Sequence, residues 1–259
     1  RAFLGVRIWG ANLGVRGAAI SSVIAIGLSG VFMLLVMARR GDEMRFTLHS
    51  DYSLKKQGAS NILRIGTPMA AERAVISIGQ ILYMSVISSL GTVALSAHYL
   101  ATTAESICYN PAYGFAAAAI IMVGQALGAR DEDSAQRYAR INILLSAAVM
   151  VVISALMYAF ALPLIRLFTP DPLVSEYGAS VLRIVAFVEP LFAVSIVTAG
   201  ALRGAGDAVA PLFIGIVCML FVRLPFALFF VRTLNLGLDG AWYAMTIDLA
   251  LRGVITFLR

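Results

Sequence analysis

The sequence predicts an all-α, polytopic membrane bundle of about seven transmembrane helices, the last helix of one six-helix lobe followed by a second lobe. Three observations carry this. Hydrophobic residues make up 60% of the chain and charged residues only 13%, with a mean hydropathy of +0.88. An ordinary soluble domain carries roughly a quarter charged residues. Uncharged apolar stretches recur at 17–38, 106–129 and 141–165, each near the roughly 20 residues that span a hydrocarbon core. Finally, Leu13-Gly14-Val15-Arg16-Gly17-Ala18-Ala19-Ile20-Ser21 returns as Leu236-Gly237-Leu238-Asp239-Gly240-Ala241-Trp242-Tyr243-Ala244, 223 residues later (236 − 13), and each copy opens an apolar segment.

If each copy marks the last helix of a bundle, the five apolar segments between them complete a second bundle. Duplicated bundles with polar sites between helices are the architecture of secondary transporters. The chain begins with Arg1 and stops inside an apolar run, so it reads as a fragment whose amino-terminal lobe is missing.

The expected spans, in order, are 16–38, 66–88, 93–127, 141–165, 180–202, 208–231 and 236–258. Residues 1–38 are then the end of the amino-terminal lobe, 39–65 an inter-lobe linker and 66–259 the carboxyl-terminal lobe. The linker holds Arg39, Arg40, Arg45, Lys55, Lys56 and Arg64. The next connections on the same side add Arg130, Arg137, Arg140 and Arg203, while 88–92 has no charge. Cationic loops stay cytoplasmic, so the linker is assigned there and the protein to the cell (inner) membrane. Arg1, Arg7 and Arg16 fall on the other side and weaken the asymmetry. The third span is too long for one straight crossing and contains Asn110-Pro111, where a missing amide kinks a helix. Pro190 and Pro225 are further bends.

The net charge of +6 does not gather into a basic patch interleaved with aromatics, which excludes a nucleic-acid partner. Cys108 and Cys218 both lie in apolar runs and read as small buried hydrophobes. Paired histidine ligands, a Ser-His arrangement and aspartate-rich metal motifs are all missing from the sequence, which disfavours an enzyme. His98 reads as a bland polar residue near a span end, and Trp9 and Trp242 as interface anchors.

An ionisable residue at the centre of a span costs about 2.5 to 3.5 kcal/mol on insertion scales and needs a reason. Glu105 and Glu189 both fall near the middle of their spans, and Glu72 sits one turn past Pro68. Thr102, Glu105, Tyr109 and Tyr113 share one helical face at separations of three and four. Glu72, Gln80 and Tyr83 form a stripe on the preceding span. Glu189 has apolar neighbours in Val185, Phe192 and Ala193. Desolvation disfavours a charged carboxyl, so such a group can exchange a proton or hold a cation. Asp248 and Arg252, four apart, with Arg223 on the preceding span, read as a structural ion-pair network.

Several stretches together resemble the multidrug and toxic compound extrusion (MATE) family. They are Gly91-Thr92-Val93-Ala94-Leu95-Ser96-Ala97-His98, Glu105-Ser106 with Asn110-Pro111-Ala112-Tyr113-Gly114-Phe115, and Val123-Gly124-Gln125-Ala126-Leu127-Gly128-Ala129. Gly200-Ala201-Leu202-Arg203-Gly204-Ala205-Gly206-Asp207 and Val222-Arg223-Leu224-Pro225 continue the likeness, which covers nearly all of 13–259. The resemblance implies a MATE-like fold of twelve helices in two lobes, of which this chain holds the sixth to the twelfth. It also implies export of amphipathic or cationic small molecules in exchange for protons or sodium ions, with no cofactor. Some members place acids where this chain has Ile76 and Phe192, so their sodium site does not carry over as it stands. On this reading Glu189 and Glu105 hold the coupling ion or substrate, with a sodium ion at either one. Glu72, Tyr109, Tyr113, Gln80, Tyr83 and Asn110 line the site, while Pro111, Asp248, Arg252 and Arg223 are structural. A lipid-linked sugar flippase of the same superfamily is the alternative, and a membrane-embedded enzyme a more distant one.

Overall fold

A computed structural model describes residues 14–39 and 56–259. Chain contacts divide the molecule into two units, 1–59 and 60–259. Within the first, α1 (Gly14–Arg39) is a helix of 26 residues. It opens at the same place in the repeat as the final helix, Gly14 matching Gly237. Trp9 and residues 40–55 lie outside the described residues. The last ten positions of the expected linker, 56–65, are helical, because α2 (Lys56–Ser88) starts at Lys56.

The second unit continues with α3 (Thr92–Gly128), α4 (Glu132–Ala159), α5 (Ala161–Arg166), α6 (Pro172–Ala186), α7 (Glu189–Gly204), α8 (Val209–Ile216), α9 (Leu224–Leu228) and α10 (Gly237–Leu258). Side-chain caps set several starts by filling the orphan amides of a first turn. The Ser134 amide donates to Asp131 at 2.9 Å ahead of α4, and the Leu173 amide donates to Asp171 at 2.9 Å ahead of α6. Asp207 accepts from the Val209 and Ala210 amides at 3.1 and 3.0 Å ahead of α8. The Ala210 amide in particular holds the Asp207 carboxyl below its usual range, with Arg259 adding to the effect against partial burial.

Five helices among the described residues are long and apolar enough to cross a membrane, or six if α6 and α7 count as one broken span. The distribution of polarity is that of a membrane bundle. Phe187, Phe213 and Phe221 are exposed on the outside, while Glu105, Glu189, Arg223 and Asp248 are buried inside. An exposed apolar surface of this extent requires a lipid or protein cover.

Two expectations are corrected. The span at 141–165 is two elements, and α4 begins nine residues earlier, because Arg137 and Arg140 ride on its first turns. The span at 180–202 is α6 and α7, bent by 59° across Phe187-Val188. The span expected at 93–127 is a single helix, α3, of 37 residues that runs through Pro111, about 55 Å at 1.5 Å per residue. Around Pro225 the helical rod 209–233 widens into π-turns at Val217–Arg223 and Phe229–Thr233. A proline displaces the carbonyl four residues before it, and a wider turn accommodates that displacement.

Glycine sets how closely the helices meet. A Cβ on Gly200 would lie 2.7 Å from the Ala116 carbonyl oxygen, and one on Gly204 2.7 Å from that of Ile120, so α7 lies directly on the backbone of α3. Gly253 of α10 meets the Leu191 carbonyl of α7 in the same way, at 2.6 Å. Small residues permit this approach where lipid supplies no hydrophobic drive between helices.

Candidate functional site

A cavity of about 670 Å³ opens between α2, α3, α7, the rod 209–233 and α10. The stripe of α3 expected from its spacing, Thr102, Glu105, Tyr109 and Tyr113, forms one wall. Glu72, Gln80 and Tyr83 of α2 form a second. Phe192 closes a corner, its ring 5.7 Å from that of Tyr109 and edge-on to it, and Tyr113 stacks on the other side of Tyr109 at 5.8 Å. Asn110 is exposed and is not part of the wall, contrary to its assignment as a lining residue. It lies about 100° around the helix from Tyr109.

Glu105 and Glu189 come together although they are 84 residues apart (189 − 105). Their side chains face one another within hydrogen-bonding reach, and both are buried. Glu189 is the first residue of α7, just past the bend, and does not itself line the cavity. No N–H or O–H donor reaches either of its oxygens among the described residues. Two ionised carboxylates offer only acceptors, so a hydrogen bond between them requires a proton on one.

A second polar cluster adjoins this pair. Arg223 donates from Nε to Asp248 Oδ2 at 2.7 Å, with its Nη2 2.6 Å from the same oxygen. Arg252 Nη2 lies 3.2 Å from Oδ1, one helical turn along α10. Arg223 also acts electrostatically on Glu105 and sits 5.7 Å from the centre of the Tyr83 ring. Tyr83 in turn donates its hydroxyl to the Ala241 carbonyl at 2.8 Å. The two carboxyls, three guanidinium or carboxylate partners and Tyr83 therefore form one continuous polar seam through the bundle.

Sequence reasoning missed Arg203 and Arg73. Arg203 donates to Glu72 at 2.6 Å across 131 residues and ties α7 to α2; Glu72 is thus an ion-pair partner as well as a wall residue. Arg73 also lines the cavity. A general signal existed, since each charged residue in an apolar span needs a partner, but no spacing names one so distant. His98 is buried, packed edge-on between Tyr83 and Trp242, with no partner for Nδ1 among the described residues. Trp242 is fully buried in the core, not at an interface. Cys218 is buried and Cys108 half-buried, both free thiols. Among the described residues no group of three or more His, Cys, Asp or Glu could hold a metal ion. A cation at Glu105 and Glu189 would have two carboxyls and no third.

A family model described as MatE matches residues 68–229. A probable multidrug resistance protein NorM from Thermotoga maritima is 29% identical over 249 residues, covering 95% of this chain and 53% of its own length. An uncharacterized transporter YisQ from Bacillus subtilis is 25% identical, with 95% of this chain and 54% of its own length covered. The chain spans about half the length of these curated relatives. The solved structure of a MOP superfamily transporter from Pyrococcus furiosus shares the fold, with a TM-score of 0.86 at 23% identity over 97% of this chain and 56% of that one.

Proposed function

Because the chain belongs to the multidrug and toxic compound extrusion (MatE) family, we propose that it works in a secondary active transporter, exporting amphipathic or cationic small molecules in exchange for protons or sodium ions. The observation that carries this reading is the buried Glu105–Glu189 pair directly behind an aromatic-walled cavity. A carboxyl pair of this kind holds a proton when no other cation is near, because two like charges in low dielectric repel strongly. A sodium ion or a substrate cation that enters replaces the proton, so one site holds either the coupling ion or the cargo in turn. Tyr109, Tyr113 and Phe192 offer ring faces, which attract organic cations. The names of relatives as multidrug resistance proteins support the same reading. The rocking motion of two lobes, the amino-terminal lobe as partner, the inner membrane and a cytoplasmic linker at 39–65 belong to this proposal.

A second reading draws on one specific observation. Arg73, Arg203, Arg223 and Arg252 all line the cavity, against Glu72 and Glu105 as its lining acids. Arg203 is neutralised by Glu72, and Asp248 holds the other two, which leaves Arg73 without an ion-pair partner among the described residues. Such an arginine suits a phosphate, as in a lipid-linked sugar flippase.

The deciding experiment loads membrane vesicles with a cationic dye and follows its efflux under an imposed proton or sodium gradient. Glu105→Gln and Glu189→Gln are expected to abolish gradient-driven efflux. Unchanged efflux in both variants would sink the assignment of the pair. Binding of a polyprenyl diphosphate in preference to the dye, lost in Arg73→Gln, would move the conclusion to the second reading.

A further inference from the structure

Away from the central cavity, and sharing no lining residue with it, a pocket of about 590 Å³ opens along α6, beside the end of α4 and the first turns of α10. Its rim carries Tyr158 and Phe187, whose rings meet edge-on at 5.3 Å, together with the half-exposed Tyr243. Glu176 and Arg183 of α6 line it too. Neither has an ion-pair or hydrogen-bond partner among the described residues. The Ser180 and Thr246 hydroxyls there are already satisfied: Ser180 donates to Asp239 at 3.1 Å, and Thr246 to the Trp242 carbonyl at 2.9 Å.

Arg183 lies 11 residues past Pro172, the start of α6, so its Cα is about 16 Å along the helix axis. A charge left there facing hydrocarbon is costly, and long cationic side chains relieve the cost by reaching toward the interface. Helical side chains point toward the helix start, so the Arg183 guanidinium leans back along α6 toward Glu176 and the surface at that end. Glu176 is seven residues earlier, nearly two turns, on the same face and closer to the surface. From surface inward the pocket thus presents a carboxylate and then a guanidinium beside aromatic walls.

From this order we infer that the pocket holds a membrane phospholipid with an ethanolamine headgroup. Its phosphate pairs with Arg183, its ammonium with Glu176, and its upper acyl chain lies along Leu162, Ile184 and Phe187. Guanidinium and phosphate form two parallel hydrogen bonds. The ammonium sits outward of the phosphate in such a lipid, as the carboxylate sits outward of the guanidinium here. Phosphatidylglycerol offers the same phosphate but no cation for Glu176. The inference is independent of what the central cavity transports.

The test uses the full chain, purified in detergent and offered phosphatidylethanolamine and phosphatidylglycerol in equal amounts, with retained lipid counted by native mass spectrometry. The parent protein is expected to retain phosphatidylethanolamine about tenfold better, the worth of one charge-assisted hydrogen bond. Arg183→Gln should weaken retention of both lipids. Glu176→Gln should remove the preference while leaving phosphatidylglycerol bound as before. Both side chains are exposed, so neither change threatens the fold, and unchanged helical circular dichroism would verify this. Equal retention of the two lipids by the parent protein, or full phosphatidylethanolamine retention by Arg183→Gln, overturns the inference.

Discussion

Asp248→Asn tests whether the ion network in the bundle is structural. Asp248 is completely buried and receives both guanidinium groups, Arg223 at 2.6 Å and Arg252 at 3.2 Å. The amide removes the charge without changing volume, leaving a buried arginine with no anion. Breaking a buried pair in this way costs about 3 to 5 kcal/mol. Arg252 keeps 16% of its side chain exposed and faces the cavity, so water compensates part of its loss and the lower end applies. About 3 kcal/mol is roughly a hundredfold in the folded-to-unfolded ratio. Arg252→Gln alone should cost about 1 kcal/mol, since it removes the longer and wetter contact. Replacing both buried partners, Arg223→Met with Asp248→Leu, should return stability to within about 1 kcal/mol of the parent, because the desolvation cost disappears together with the attraction. The assay is reversible unfolding in mixed micelles on titration with dodecyl sulfate, followed by far-ultraviolet circular dichroism. If Asp248→Asn unfolds within about 0.5 kcal/mol of the parent, the range of an ordinary surface change, the network does not hold the bundle and the reasoning fails.

The same titration serves two further predictions. Gly200→Ala and Gly114→Ala make the same chemical change in two helices and should move in opposite directions. The new methyl at 200 meets the Ala116 carbonyl oxygen at 2.7 Å, whereas at 114 it meets nothing within 4 Å. Overpacking costs about 1 to 3 kcal/mol, and a freely placed alanine gains up to about 1 kcal/mol over glycine in a helix; two shifts of the same sign would refute the close α3–α7 contact. Asp207 has its carboxyl held below the usual value near 3.8, chiefly by the Ala210 amide. The folded state therefore binds this proton less tightly than the unfolded one. The contribution is complete above pH 3.8 and is lost as pH falls through the lower folded value. The stability gap between the parent and Asp207→Asn should be widest near neutrality and close on acidification. A gap that stays constant from about pH 7 to pH 3 would exclude the cap as its source.

Much of the fold was legible because membrane spans write themselves into composition. The expected starts of α1 and α10 fall within two residues of the observed ones. Legibility failed where a helix continues beyond its apolar part. Arg137 and Arg140 hid the first turns of α4, and Glu176 hid the first half of α6, because charged positions were read as connections. The stripe from Thr102 to Tyr113 was legible for a local reason: a spacing of three or four puts residues on one face, and all four line the cavity. Partners across the bundle were not legible. Nothing near Glu72 in sequence points to Arg203, and Trp242, near the start of its helix, gave no sign that His98 and Tyr83 cover it.

The meeting of Glu105 with Glu189 has a physical cause that lies away from either glutamate. Ala116 contacts Gly200 and Ile120 contacts Gly204, and both pairs are offset by 84 residues (200 − 116, 204 − 120). The two carboxyls share that offset (189 − 105). A constant offset means that α3 and α7 run side by side in the same direction at one fixed register. Eleven residues separate Glu105 from Ala116 and Glu189 from Gly200, close to three full turns, so contact and carboxyl lie on the same face of each helix. The glycines act as a stop: with no Cβ at 200 and 204 the backbones touch, and sliding by one turn would drive a larger side chain into the seam. The register that packs the glycines is therefore the one that brings the two acids face to face. The bend at Phe187-Val188 then frees α7 from the direction of α6, so that Glu189, as its first residue, can follow α3. The glycines at 200 and 204 thus determine where the buried charge of the site lies.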